Sequence, residues 1–224
     1  MTAMRDRLVG ALHYGADPFA GFPEGAYETD SQGWRSEHPY LSETIEMARP
    51  SLIVEVGVWK GGSTIYMADK AKSLGLDCAI VSVDTFLGAW EHWIIEQWRD
   101  SLKQKYGYPS LYYTFAANVI ARGVADYVVP LPIDSNNAAE VMRHYGFSPD
   151  IVHIDAGHDR KAVLSDLELW WKLLAPGGYI IGDDYDPNMQ VWPEVAMAFH
   201  EFFGTDRIEN FDGKCRIRKM VGKL

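Results

Sequence analysis

The chain has 224 residues, enough for one sizeable domain or a domain with a small appendage. Apolar residues make up 47% and charged residues 23%, and the net charge of −10 argues against nucleic acid as a partner while leaving a small polar substrate open. No apolar run could span a bilayer, the start MTAMRDRLVGALHYGADPF is too polar and broken for a secretory signal, and Cys78 and Cys215 form no metal or redox motif, so the expected setting is a reducing cytoplasm without a membrane partner.

Residues 1–40 show no sustained period and read as short helices and loops, either a lid over a pocket or an N-terminal wrap. LSETIEMA is helical, and Pro50 punctuates before the strand LIVEVG. GGSTIYMADKAKSLG is a helix with Ser63 or Thr64 near its start and Gly75 at its end, and CAIVSVD at 78–84 is a second strand. Residues 89–122 read as helix in two pieces. YVVPLPID at 127–134 reads as a strand that Pro130 and Pro132 weaken. NNAAEVMRHYG is a helix, DIVHID at 150–155 a strand, and RKAVLSDLELWWKLL a helix with Val163, Leu167, Trp170, Trp171 and Leu174 on one face. PGG turns the chain into the strand YIIGDD; VWPEVAMAFHEFFG is a helix, and DRIENF and CRIRKM close the chain as adjacent strands. Alternating strands and helices, the strands continuously apolar, predict an α/β fold with a mainly parallel sheet, helices on both faces and an antiparallel edge.

VEVGVWKGGST places Gly57 at the end of a buried strand and Gly61 just before a helix, where ligands bind in open α/β sheets. Glu55 stands two residues before the turn, where an acid can meet an ammonium. Asp84 ends the next strand, 27 residues past Gly57, the place for an acid that grips ribose hydroxyls. A dinucleotide fingerprint would need G-x-G-x-x-G and a P-loop G-K-[ST]; neither is present. The combination resembles class I methyltransferases that use S-adenosylmethionine, over roughly residues 38–220. That resemblance implies a Rossmann-like seven-stranded sheet with an antiparallel last strand; the expected organisation is a methyltransferase domain at 41–224 after a cap or lid segment at 1–40. The resemblance further implies that Glu55, Gly57, Gly61 and Ser63 hold the methionine part, Asp84 the ribose, and Ser135 with Asn136 the neighbourhood of the adenine, with Asp155 beside the cofactor.

Asp155 ends one strand, and Asp183 and Asp184 end the next, 28 residues on. Three carboxylates converging there repel unless protons or a cation intervene, and oxygen ligands suit a hard ion such as Mg²⁺. For one aspartate alone, such as Asp183, capping a helix or pairing with Lys or Arg is the favoured reading; the three together at two strand ends favour a metal. HIDAGH followed by DL, WW and PGGYIIGDDY is similar to metal-dependent O-methyltransferases acting on sugars and natural products, a group that includes cephalosporin hydroxylase-like proteins. The resemblance implies Asp155, Asp183 and Asp184 as Mg²⁺ ligands. Some relatives carry a catalytic aspartate two residues after the first ligand, where this chain has Gly157; His158 is the substitute, against a bland role as a structural hydrogen bond. His153 is a supporting residue. FLGAWEHWIIEQW brings Trp90, His92, Trp93 and Trp98 near the site, as helix packing or as a substrate wall, and His92 is a second candidate base.

The expectation is a Mg²⁺-dependent O-methyltransferase acting on a small hydroxylated acceptor, such as a sugar or glycosylated natural product, with homo-oligomerisation left open. The alternatives are a hydroxylase-like enzyme, for which no triad of two histidines and a carboxylate stands at a recognisable spacing, and a non-catalytic cofactor-binding module.

Overall fold

The computed structural model describes residues 2–23 and 25–220. Their parallel strands are β1 (Leu52–Val56), β2 (Ala79–Val83), β3 (Val128–Leu131), β4 (Ile151–Ile154) and β5 (Tyr179–Gly182). The hairpin of β6 (Glu209–Phe211) and β7 (Lys214–Arg218) completes one sheet of order β3-β2-β1-β4-β5-β7-β6, in which β7 alone is reversed. The strands are short, apolar and buried on both faces because helices cover both. Leu52, Val54 and Val56 pack with α7 (Ser135–His144), α8 (Arg160–Leu173) and α9 (Pro193–Phe203); Ile53 packs with α2 (Pro39–Ala48), α3 (Gly62–Ser73) and α6 (Leu111–Arg122). The alternation assigns Glu55 and His153, directly opposed across β1 and β4, to the α3 face.

Three expectations change. The strand expected over 127–134 stops at Leu131, and β3 carries Pro130 because it is an edge strand with no outer partner for the missing N–H. The region 89–122 holds three α-helices rather than two: α4 (Trp90–Ile94), α5 (Glu96–Arg99), which runs into a 3₁₀ turn, and α6. Ser135 opens α7, where its hydroxyl donates to Asp166 of α8 and accepts from Trp170 Nε1 at 2.9 Å, so it clamps two helices together instead of facing a ligand.

That clamp makes Asp166 a stability probe. Burial pushes its carboxyl up to about 6, against the hydrogen bond from Ser135. The folded state therefore keeps a proton that the unfolded chain releases near pH 4, and stability falls as pH rises between about 4 and 6. Asp166→Asn keeps an acceptor for Ser135 and removes the buried charge. It should be nearly neutral at pH 4 and stabilising by about 2 kcal/mol at pH 7.5, as read by urea unfolding at both pH values.

The first α-helix, α1 (Ala3–Leu12), lies against the free edge of β3. Arg5 Nε donates to Val128 O at 3.2 Å, and His13 Nε2 meets Pro130 O at 2.8 Å. Farther along, Asn118 bonds the backbone of Asp30 and Lys60, and buried Lys60 pairs with Asp30 at 2.7 Å. Residues 33–36 are thereby held over the C-terminal ends of the strands. Among the described residues of the 1–40 segment, Arg5 and His13 meet the free edge of β3 and residues 33–36 line the cavity over the strand ends.

Candidate active site

A cavity of about 450 Å³ opens above the carboxyl ends of β1, β2, β4 and β5. Its floor is the glycine loop. Gly57 has φ +85°, and a Cβ there would lie 1.9 Å from the carbonyl oxygen of Asp155, so only glycine lets β1 turn beside the end of β4. Gly61, also with positive φ, caps α3 against the Phe115 ring, while Gly57, Gly62 and Ser63 reach the cavity wall.

Asp84 lines the cavity and is already engaged: it accepts the N–H groups of Val58 and Trp59 at 2.8 and 3.0 Å and of Phe86 at 2.7 Å. Burial raises its pKa against those three donors. Glu55, expected at the cofactor's methionine end, lies under the loop rather than in the cavity. It is fully buried, accepts from Ser63 and Thr64, and meets His153 Nδ1 at 3.0 Å. Its place on the α3 face of β1 explains this, and Ser63 is the group that passes its influence to the cavity.

On the opposite side Asp155, Asp183 and Asp184 converge as the spacing implied. Burial, and then the Asp183 carboxylate, push Asp155 well above the ordinary carboxylate range. Burial would raise Asp183 too, but the Lys214 ammonium together with His153 and the Asp184 N–H holds it low. Lys214 is fully buried and ion-paired to Asp183 Oδ2. Arg35 stands 3.4 Å from Asp184 and 3.9 Å from Asp183. A Cβ on Gly213 would collide with this guanidinium at 2.3 Å, so the β6–β7 turn is shaped around Arg35. Ligand atoms of Asp155, His158 and Asp184 lie within 4.8 Å of one another, as do those of His153, Asp155 and Asp183. Asp155 and Asp184 offer carboxylate oxygens in the first group, the donor type that fits a hard divalent ion, while the Oδ1 of Asp183 accepts the Asp184 N–H at 2.8 Å. His153 is not free for that duty, because its Nε2 faces Lys214 at 3.3 Å.

The two candidate bases sit on opposite walls, each stacked on a tryptophan. His158 lies on Trp192 (centroids 4.1 Å apart) with Nε2 3.0 Å from Asp184 Oδ2; His92 lies on Trp59 (4.3 Å). A carboxylate can only accept, so His158 donates through Nε2, and the neutral form of the ring carries its lone pair on Nδ1. His92 Nδ1 accepts the Ala89 N–H at 3.1 Å, so its neutral ring carries the proton on Nε2, a buried atom with no partner among the described residues. His92 is thus set to donate to a ligand, and His158 to take a proton. Trp98 and Trp34 complete the wall. Arg35, Trp59, Asp184 and Trp192 all hold positive φ at this cavity, backbone strain of the kind that gathers at functional sites.

Lys214, Arg35 and Trp34 were not legible as site residues. The strand alternation that sends Cys215 and Ile217 to one face sends Lys214 to the α3 face, but a lysine beginning an edge hairpin reads as solvated. Arg35 lies in a stretch with no period at all.

This sheet order, with its ligand cavity over the strand ends, defines a Rossmann-like methyltransferase fold. It is shared by the O-methyltransferase TomG from Streptomyces achromogenes, involved in tomaymycin synthesis and solved with SAM, at 15% identity and TM-score 0.57 over 97% of this chain and 89% of that one. An O-methyltransferase from Bacillus cereus in complex with SAH is 18% identical, with TM-score 0.54 over 96% of each chain. The cofactor-bound protein Rv0187 from MTB is 14% identical, with TM-score 0.58 over 97% of each. The chain belongs to the methyltransferase domain family, which residues 54–185 match. No curated protein matches it in sequence. No helix among the described residues is long and apolar enough to cross a membrane.

Proposed function

We propose that the protein transfers the methyl group of S-adenosylmethionine to a hydroxyl oxygen of a small acceptor, a sugar or a glycosylated natural product being the class the aromatic walls suit. One observation carries the reading: a single cavity joins the glycine loop and Asp84 to the carboxylates of Asp155, Asp183 and Asp184 and to His158. The SAM and SAH complexes of the two O-methyltransferases of like fold support the choice of cofactor.

The α3 N-terminus and Ser63 would receive the cofactor's carboxylate, and Asp84 its ribose. Asp155, Asp183 and Asp184 would hold Mg²⁺, which when bound eases loss of the acceptor's hydroxyl proton. His158 takes that proton at Nδ1, and Asp184 at its Nε2 steadies the imidazolium formed. His92 Nε2–H orients the acceptor, and the stacked Trp59 and Trp192 hold it for in-line attack. Residues 33–36 act as the cap that excludes water. The testing experiment supplies methyl-labelled S-adenosylmethionine with a panel of sugars, glycosides and phenols and follows label into product. Transfer to a hydroxyl, lost in excess chelator, is the expected result; full transfer in chelator would remove the ion, and cofactor binding without transfer to any acceptor would remove the enzyme.

A further inference from the structure

The ion pair between Lys214 and Asp183 is joined to the glycine loop by a buried polar chain whose direction can be worked out atom by atom. An ammonium only donates, so His153 Nε2, 3.3 Å from Lys214 Nζ, must accept; His153 then carries its proton on Nδ1 and donates it to Glu55, 3.0 Å away, which also receives Ser63 and Thr64. Glu55, His153 and Lys214 are each fully buried, and Asp183 is 7% exposed. Two of the three Lys214 N–H donors have acceptors in this row, His153 Nε2 and Asp183 Oδ2, and the latter places its charge on Asp183. Glu55 is the second anion of this buried row, and Lys214 its permanent cation.

We infer that Lys214 is a fixed internal counter-cation of the carboxylate cluster: it holds Asp183 by Oδ2, while Oδ1 accepts the Asp184 N–H at 2.8 Å, and it weakens the grip of the site on a divalent ion. The inference rests on the ion site proposed above. Three carboxylates facing one ion would bind it tightly; with Asp183 already neutralised by a cation that cannot leave, the ion meets a smaller net negative charge.

The test titrates the chelator-stripped protein with Mn²⁺, following free ion by electron paramagnetic resonance, and repeats the titration with Mg²⁺ by calorimetry. Lys214→Met should bind Mn²⁺ about tenfold tighter or more, since it removes a positive charge beside the ion, and Lys214→Arg, which keeps the charge, should bind within about threefold of the parent. Lys214→Gln serves in the same role if the methionine variant does not fold. Equal or weaker binding by Lys214→Met or Lys214→Gln, with a parent that binds, would overturn the inference and leave the ion site standing. A parent that binds no ion beside a neutral variant that does would support the inference and overturn the ion reading for the natural chain. Binding by none of the variants would overturn both.

Discussion

Gly57→Ala is expected to destabilise the protein by about 3 kcal/mol and to abolish binding of S-adenosylhomocysteine. Two penalties combine. A side chain at φ +85° costs about 1–2 kcal/mol. The added methyl would also lie 1.9 Å from the Asp155 carbonyl oxygen, a rigid backbone atom, and overpacking of that sort costs about 1–3 kcal/mol. Relief requires β1 and β4 to separate at the level of the cavity floor, which moves the glycine loop away from Asp84 and the acid cluster away from both. Gly75→Ala is the control: φ there is +62°, and nothing lies within 4 Å of the new methyl. Urea midpoints for both variants separate the conformational part from the steric part, and calorimetric titration reads the loss of the ligand. A Gly57→Ala protein no less stable than Gly75→Ala would show that the two strand ends are not in contact as described.

Asp155→Asn should reduce kcat/KM for methyl transfer by about a factor of 10²–10³, the size associated with losing one electrostatic contact at a reacting oxygen, while changing the affinity for S-adenosylhomocysteine by less than about threefold. The same substitution should raise the thermal midpoint of the ion-free protein, because it removes a buried carboxyl beside the Asp183 carboxylate and leaves Lys214 its partner. Opposite movements of activity and stability mark a residue placed for chemistry at the expense of the fold. Retained turnover, or a fall in both quantities, would assign Asp155 a structural role instead.

The parts of the fold that could be read in advance are those where one physical demand dominates. Strands such as LIVEV and AIVSV must be buried on both faces, and their unbroken apolarity says so. The glycines of the loop and the acids at the strand ends were legible because their residue types are expensive anywhere else. Ser135 and Glu55 were legible as polar residues near the right places, but not in their orientation. A serine at a helix start can face a ligand or a neighbouring helix, and here Asp166 and Trp170 hold it. The period-two rule fixes the face on which Glu55 stands, but only the arrival of His153 and of α3 makes that face closed. Asp183 lines the same cavity as the other two acids and pairs with a lysine, the second being one of the readings open to a lone aspartate. That lysine comes from a hairpin 31 residues farther along the chain, a separation no local pattern encodes.

The contacts that α1 makes with β3 bear on how the molecule stays dispersed. An outermost strand offers its unpaired carbonyls to any other strand that drifts past, the usual start of edge-to-edge aggregation. Here Arg5 and His13 occupy the carbonyls of Val128 and Pro130, and Pro130 has no N–H to offer. The first helix therefore works as a blunt end-stop on the growing edge of the sheet. Because it is made more than a hundred residues before β3, the nascent chain carries its own protection before the vulnerable strand exists.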